Sequence, residues 1–235
     1  MPVDTEIEAI EKRYKRRHSS GCADRYSPLD PYSMMAEQEK DRAVVRMLRQ
    51  HELIKTVPQL SLLEIGCGAG NNLLRFIRLG FAPVNLCGNE LMPERLQAAR
   101  QILPPSVQLL PGDASATDLA DESFNIVCLF TVMSSILNDA FQERLAGKAW
   151  SLTKPGGGVL WYDFIYNNPA NPDVRGVPVR RLRELFPDSK PVVERITLAP
   201  PIGRRVARWW DGYYSILNRI KPLRSHVLAW LPKNA

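Results

Sequence analysis

The sequence lacks paired cysteines, long apolar runs and a leader-like beginning, and each absence excludes a class of protein. Its four cysteines stand alone, without a Cys-x-x-Cys pair, which disfavours a zinc site or a disulfide framework and fits a reducing cytosol. No apolar run reaches the roughly 18 residues that a transmembrane helix needs. Residues 1–17 are charged and lack an apolar core segment, so we expect no signal peptide.

What is present fits one folded domain. The 235 residues are 45% hydrophobic and 24% charged, values that rule out a disordered chain, a collagen and a coiled coil. The length suits one large domain. We expect a cytoplasmic protein without a resident metal, and peripheral attachment to a membrane is an open alternative.

The net charge of +6 is unevenly distributed along the chain. Residues 1–169 hold 18 Lys and Arg against 20 Asp and Glu, a net of −2. Residues 170–235 hold 13 against 5, a net of +8. The basic surplus therefore belongs to the last quarter. It indicates either an acidic partner, such as nucleic acid, a phosphorylated substrate or a membrane surface, or no partner at all.

From residue 60 onward, short apolar runs alternate with helical patterns. Strands are predicted over residues 60–65, 84–88, 107–110, 124–130, 159–165, 192–198 and 226–231. Helices are predicted over residues 34–53, 71–79, 93–103, 139–152 and 179–186. Because the strands are too apolar to alternate faces, the pattern predicts a parallel sheet covered on both sides, with a ligand crevice at the strands' carboxyl ends.

A glycine cluster follows the first predicted strand. Residues 64–70 read Glu-Ile-Gly-Cys-Gly-Ala-Gly, and glycines at alternating positions let the backbone turn tightly and approach a ligand closely. Glu90 ends the second strand and Asp113 follows the third. Residues 130–135 follow the fourth strand, and a Lys-Pro-Gly-Gly turn precedes the fifth.

These landmarks, in this order, resemble the class I S-adenosylmethionine-dependent methyltransferases, in particular their type 11 and type 12-like members. The resemblance covers roughly residues 60–164. It implies a Rossmann-like α/β fold with a mostly parallel seven-stranded sheet, an antiparallel last strand and helices on both faces. It also implies S-adenosylmethionine as cofactor and S-adenosylhomocysteine as product. Residues 160–169 further resemble a subgroup associated with bacterial polysaccharide or secondary-metabolite gene sets.

The resemblance assigns cofactor contacts residue by residue. The glycines pass beneath the methionine part of the cofactor, Glu90 binds the ribose hydroxyls and Asp113 lies near the adenine amino group. Cys67 is a small space-filling residue within the loop. The expected cofactor-binding residues are Glu64, Gly66, Cys67, Gly68, Gly70, Glu90, Leu91, Asp113, Ala114, Phe130 and Thr131.

The expected reaction is methyl transfer to a small-molecule or glycan acceptor, with oxygen as the first choice of acceptor atom. Asp163 is the first candidate for a general base, and the alternative is that it hydrogen-bonds a loop backbone. His18 is a second candidate if the N-terminal arm folds over the site; otherwise it is a solvated histidine. Tyr26 and Gln38 are either cofactor contacts or ordinary helix-packing residues.

Residues 1–33 are polar and rich in turn formers, so we predict a mobile arm or lid. Residues 1–55 together form an arm and lid helix ahead of a methyltransferase domain at 56–235. Within that domain, residues 200–223 form a basic, aromatic insertion. Its arginines and aromatics either bind a phosphorylated or lipid-linked glycan or an RNA, or form a helix whose aromatics pack on the sheet. The expected substrate-binding residues are Tyr162, Arg204, Arg205 and Trp209.

Two other functions compete with this expectation. An RNA methyltransferase is favoured by charge alone, and because the chain shows no recognisable RNA-binding module we regard RNA as the weaker choice. A non-catalytic subunit that binds the cofactor as a scaffold is the other. The intact glycine loop, Glu90 and Asp113 argue against lost cofactor binding.

Overall fold

The computed structural model describes residues 3–19, 27, 29–168 and 171–234, without the side chains of residues 3–5, 17–19 and 211. Seven strands form one sheet: β1 (Leu62–Ile65), β2 (Leu86–Glu90), β3 (Gln108–Pro111), β4 (Phe124–Phe130), β5 (Thr153–Phe164), β6 (Val192–Leu198) and β7 (Arg224–Pro232). The α-helices are α1 (Val3–Ser19), α2 (Pro31–Gln50), α3 (Asn71–Arg78), α4 (Pro93–Ile102), α5 (Asp139–Leu152), α6 (Val179–Leu185), α7 (Pro200–Ala207) and α8 (Asp211–Leu217).

The strands lie in the order β3-β2-β1-β4-β5-β7-β6. Neighbours from β3 to β5 pair in parallel, whereas β7 is antiparallel to both β5 and β6. This arrangement confirms the predicted mostly parallel seven-stranded sheet with an antiparallel last strand. The parallel strands end along one edge, which is where such sheets hold their ligands.

Both faces of the sheet are covered, which explains why the strand sequences do not alternate between apolar and polar residues. Trp161 belongs to the core beneath α5 and α6, whereas its neighbour Leu160 belongs to the core beneath α2 and α3. Successive residues of one strand therefore bury opposite faces.

Residues 154–158 differ from the predicted free turn because they are part of β5. Gly156 adopts a left-handed φ of 78°, and the register against β4 shifts between Phe124 and Ile126. The Gly156 N–H donates to the Lys233 carbonyl at 2.8 Å, and the Lys233 N–H donates to the Gly157 carbonyl at 3.0 Å. The hydrogen bonds to Lys233 thus hold these glycines in the sheet as a bulged part of β5.

Residues 3–19, predicted as part of a mobile arm or lid, form the helix α1, which packs against the rest of the protein. Ile10 enters the core beneath α5, and the Arg13 guanidinium donates to the Ser135 carbonyl at 3.1 Å. Glu6 accepts from the Leu137 N–H at 3.0 Å. These partners lie more than a hundred positions away along the chain, so local polarity could not reveal them.

Residues 200–223 form α7, α8 and a short 3-10 turn at Lys221–Leu223. They begin directly after the carboxyl end of β6 and finish where β7 starts, so both helices lie at the crevice edge of the sheet. Their inner side packs on α2 through Tyr32 and Tyr214, whose ring centroids are 5.9 Å apart.

Candidate active site

The glycine loop joins β1 to α3 and contains three positions at which only glycine fits. Gly66, Gly68 and Gly70 have φ values of 68°, 59° and 82°, in the left-handed region that side chains disfavour. A Cβ on Gly66 would lie 2.8 Å from Val132, and one on Gly70 would lie 2.7 Å from Leu103. The loop therefore needs glycine both for its dihedral angles and for its packing.

Glu64 is the buried acid at the end of β1. Its Oε1 accepts from the Asn72 amide at 2.6 Å, while Oε2 has no hydrogen-bond partner among the residues that the structure describes. Burial outweighs the Asn72 hydrogen bond and raises the pKa of Glu64 to about 8. An unsatisfied buried oxygen beside the glycine loop is a place for a ligand donor.

Glu90 ends β2 opposite the glycine loop and binds the backbone of that loop. Its carboxylate accepts from the Gly68 N–H at 2.7 Å and from the Met92 N–H at 2.9 Å. The side chain is buried, so these charge-assisted hydrogen bonds fix the position of the carboxylate.

Arg95 of α4 reaches the same carboxylate, and the sequence analysis missed it. Its Nη1 lies 3.8 Å from Glu90 Oε2, and its guanidinium occupies the space where a Gly68 side chain would stand. The guanidinium also lies 5.1 Å from the centroid of the Tyr14 ring. Burial opposes the charged form of Arg95, but Glu90 and Tyr14 outweigh it and raise its pKa. α1 therefore lies at the rim of the expected cofactor crevice.

Cys67 lies inside the loop with its backbone N–H bonded to the Asn89 carbonyl at 2.9 Å. Its side chain is buried, and burial followed by repulsion from Glu64 and Glu90 raises the pKa of its thiol far above the ordinary value. A thiol in this state is no nucleophile, so the expected space-filling role fits the geometry.

Asp113 caps the short 3-10 turn Ala114–Ala116 that follows β3. Its two oxygens accept from the N–H and the hydroxyl of Ser115, at 2.8 Å and 2.7 Å. Leu91 and Ala114 pack in the core on the same side of the sheet. The acid is therefore held rigidly at the crevice edge, as a contact to a heterocycle requires.

The end of β4 brings Phe130 and Thr131 to the middle of the crevice edge. Phe130 is buried, whereas Thr131 is exposed and adopts a left-handed φ of 55°. Its N–H donates to the Tyr162 carbonyl at 2.7 Å. This strained residue turns the chain sharply out of the sheet at the carboxyl end of β4.

Lys40 of α2 is a buried cation that the sequence analysis also missed. Its ammonium lies 2.8 Å from Glu37 and donates to Asn72 at 3.2 Å. It also lies 5.6 Å and 5.2 Å from the ring centroids of Phe130 and Tyr162. Asn72 thus bridges Lys40 to Glu64. An i,i+3 acid–base pair on a predicted helix was visible in the sequence, but its burial was not.

Asp163 is buried near the end of β5, and both of its oxygens have partners. They accept from the backbone N–H groups of Ser134 and Phe164, each at 2.9 Å. Burial outweighs these hydrogen bonds and raises the pKa of Asp163 to about 7. The geometry matches the alternative interpretation, in which Asp163 holds the loop after β4.

Tyr162 contacts side chains of the neighbouring strands β6 and β7. Its hydroxyl lies 2.9 Å from the Thr197 hydroxyl, and its ring stacks on His226 at 5.1 Å. Thr197 has a left-handed φ of 64°, which is unusual for a β-branched residue. Glu39 accepts from the Thr197 N–H at 3.1 Å and from the Tyr214 hydroxyl at 2.7 Å.

The remaining predicted residues fall in three places. Arg204 is half-buried, with its guanidinium 5.4 Å from the Tyr32 ring centroid, whereas Arg205 and Trp209 are exposed. Gln38 is exposed on α2. The side chain of His18 and the whole of Tyr26 lie outside the described residues.

The crevice fits S-adenosylmethionine by three independent features. The loop leaves no room for side chains, the Glu90 carboxylate lies at the end of the second strand, and Glu64 Oε2 lacks a donor in the described part of the chain. Arg95 and Tyr14 contribute charge and ring surface at the same place. The donors and acceptors are therefore those that a nucleoside with an amino acid tail requires.

Comparison with known proteins gives the same picture. Residues 62–157 match the family model for a methyltransferase domain. The chain is similar to a malonyl-[acyl-carrier protein] O-methyltransferase of Bacteroides fragilis, with 35% identity over 37% of this chain and 17% of that protein. It is also similar to a tRNA N(3)-cytidine methyltransferase of Gallus gallus, with 32% identity over 44% of this chain and 30% of that protein. The match thus spans less than a third of these curated relatives.

A solved structure shares the fold over the whole chain. It is the Burkholderia thailandensis 1,6-didemethyltoxoflavin-N1-methyltransferase with bound 1,6-didemethyltoxoflavin and S-adenosylhomocysteine. The TM-score is 0.67 at 14% identity, covering 100% of this chain and 92% of that one. Residues 62–157 thus match a methyltransferase domain, and the whole chain shares its fold with a methyltransferase of known structure.

Proposed function

We propose that the protein methylates a hydroxyl group of a small-molecule or glycan acceptor. The observation that carries this proposal is His226, whose imidazole lies at the carboxyl end of β5 among aromatic rings. Its ring stacks on Tyr162 and meets the Phe164 ring edge-on at 5.9 Å. Burial, followed by the nearby Lys40, lowers the pKa of His226 to about 4. The ring is therefore uncharged at neutral pH and can accept a hydrogen bond from a hydroxyl group.

The surroundings of His226 suit a ring-shaped acceptor. Its Nδ1 lies 3.0 Å from the Ser225 hydroxyl, which fixes the orientation of the ring. Tyr166 follows β5 and is half-exposed, with Arg195 donating to its hydroxyl at 3.0 Å. Aromatic faces next to fixed polar groups are typical of sites that orient small molecules.

When bound, S-adenosylmethionine supplies an electrophilic methyl group on its sulfonium. In the proposal Glu90 holds the ribose hydroxyls, and Asp113 with Leu91 and Ala114 lines the adenine side. The glycine loop and Glu64 hold the amino acid tail, and Phe130 and Thr131 separate the two ligands. These residues would contribute mainly by positioning the reactants and excluding water.

Calorimetry tests the cofactor part of the proposal. We expect Glu90→Ala to weaken S-adenosylhomocysteine binding about a hundredfold. The variant loses the hydrogen bonds proposed between the Glu90 carboxylate and the two ribose hydroxyls. Glu94→Ala, an exposed acid on α4, is the matched control and should bind like the parent. Absence of binding to the parent protein at millimolar cofactor would overturn the proposal.

A methyl-label transfer assay over fractionated cell extract identifies the acceptor and tests the role of His226. With that acceptor, we expect His226→Gln to lower turnover about a hundredfold, because the group that orients the acceptor hydroxyl is removed. Asp163→Asn should lower turnover less than His226→Gln and should also lower thermal stability, because Asp163 holds a loop. Label on nitrogen or carbon, or full turnover by His226→Gln, would contradict the hydroxyl assignment.

RNA methylation is the second candidate, favoured by the +8 charge of the last quarter and by the similarity to a tRNA methyltransferase. An RNA partner predicts affinity that falls steeply with salt. RNA binding at low salt together with label in the RNA fraction would favour this candidate over the first.

A further inference from the structure

The segment from the end of α7, through α8, to the turn after α8 exposes large apolar side chains, here termed the aromatic patch. The described chain exposes eleven large hydrophobic residues, and five of them lie between positions 209 and 220. These five are Trp209 (83% exposed), Trp210 (57%), Tyr213 (47%), Ile216 (52%) and Ile220 (49%). Such concentration on one surface is the feature that marks an interaction site.

The patch is not an unfinished core, because the same segment buries other side chains against the rest of the protein. Tyr214 is buried and donates to Glu39, and Asn218 donates to the same carboxylate at 2.6 Å. Tyr213 and Ile216 lie three positions apart on the outward side of α8, and Ile220 follows in the turn after it. The rings of Trp210 and Tyr213 pack edge to face, with their centroids 5.1 Å apart. The patch is therefore presented on a fixed base.

The charges around the patch are positive. Residues 199–223 contain five Lys and Arg against one acid, Asp211. Arg205, Arg208, Arg219 and Lys221 are exposed, and none of them forms an ion pair with a residue that the structure describes. On α6, by contrast, Arg180 pairs with Glu184 at 3.3 Å and Arg181 with Glu143 at 3.0 Å. These four cations are available to a negatively charged surface.

We propose that the aromatic patch docks on an anionic lipid membrane. Trp and Tyr are the residues that settle at the headgroup level of a bilayer, and neighbouring Lys and Arg bind anionic headgroups. A second copy of the chain fits less well, since a twofold contact through the patch would bring the cations of both copies together. The contact proposed is attachment to the membrane surface. Among the described residues, none of the helices has the length and hydropathy of a membrane span.

The place of the patch gives the docking a consequence. Both helices lie between the carboxyl end of β6 and the start of β7, at the crevice edge of the sheet. Membrane attachment would bring the His226 side of the crevice close to the lipid surface. This consequence rests on the proposed function, and it favours an acceptor that is itself anchored in the membrane.

Vesicle flotation tests the docking without any activity measurement. The probes are vesicles of phosphatidylglycerol mixed with phosphatidylcholine, and vesicles of phosphatidylcholine alone. We expect binding to the anionic vesicles at low salt and release at high salt. Arg205→Gln with Arg208→Gln should weaken binding roughly thirtyfold, and Trp209→Ser should weaken it roughly tenfold or more.

Controls separate docking from folding and from catalysis. Ile102→Ser and Arg180→Gln change exposed residues on α4 and α6 and should bind vesicles like the parent. Every variant should keep its thermal midpoint and its calorimetric affinity for S-adenosylhomocysteine. If cofactor binding fails while docking survives, the proposed function is wrong and the patch assignment stands.

Four results would overturn the docking. They are no binding to anionic vesicles at low salt, equal binding to both vesicle types, loss of binding in the control variants, and a dimer that dissociates in Trp209→Ser. Tighter binding of single-stranded RNA than of anionic vesicles, lost in the arginine variant, would also overturn it in favour of a nucleic acid.

Discussion

The cofactor half of the molecule, β1–β3 with α3 and α4, and the acceptor half, β5–β7 with α2, α7 and α8, are specified in different ways. In the cofactor half, left-handed glycines and strand-end acids contact groups close along the chain or on the adjacent strand. In the acceptor half, the bonds that shape the crevice join distant positions, such as Glu39 to Tyr214 across 175 positions. Local sequence motifs determine the cofactor half, whereas contacts between residues distant along the chain determine the acceptor half.

The largest expected effect is in the acceptor half, where Glu39 joins three elements. Glu39→Ala removes the acceptor for the Thr197 N–H, the Tyr214 hydroxyl and the Asn218 amide. We expect about 3 kcal/mol of lost stability, because three buried donors lose a charged partner. Denaturant unfolding measures the loss, and hydrogen exchange in α8 should rise.

The control for this variant is Gln38→Ala, its exposed neighbour on α2. It should change stability and exchange little. If Glu39→Ala leaves exchange in α8 as slow as in the control, the acceptor half is not held by this contact, and the contrast between the halves fails.

The same contrast explains which features could be predicted from the sequence. Glu64, Glu90 and Asp113 lie where strand ends predicted them, and β6 was predicted over the residues it occupies. Lys40 and Arg95 escaped because no local pattern shows that a charged helix residue contacts side chains of other elements. Thr197 could not be predicted either, since a β-branched residue in a strand pattern predicts extended backbone, yet two tertiary hydrogen bonds hold it at φ 64°.

A smaller effect is expected from the backbone of the cofactor half. Gly70→Ala places a side chain at a left-handed φ of 82° and 2.7 Å from Leu103. We expect a loss of about 2 kcal/mol from the dihedral cost and the close contact. Unfolding by denaturant gives the value, and calorimetry should record weaker cofactor binding.

Gly147→Ala is the matched control, and we expect it to change stability in the opposite direction. Gly147 lies exposed within α5, with nothing within 4 Å of an added Cβ. There alanine should stabilise the protein by about 0.5–1 kcal/mol, through higher helix propensity. Equal destabilisation by both substitutions would mean that the loop is not specially dependent on glycine, against the motif-based account of this half.

The effect at Glu64 differs in kind and appears as a dependence on pH. Its pKa is raised from 4.5 to about 8, chiefly by burial, so the folded state keeps a proton that the unfolded state releases. Stability from this group is therefore fully present below pH 4.5 and is lost as the pH rises through about 8. Glu64→Gln should flatten the decline of unfolding free energy between these limits by up to about 1.4 kcal/mol per pH unit. Asp163, with its pKa near 7, contributes a similar decline in both proteins, so only the difference between them reports on Glu64. Parallel stability curves for the parent and Glu64→Gln would mean that the carboxyl beside the glycine loop is ionised when folded, and that the cofactor half accommodates a buried charge through Asn72 and Lys40.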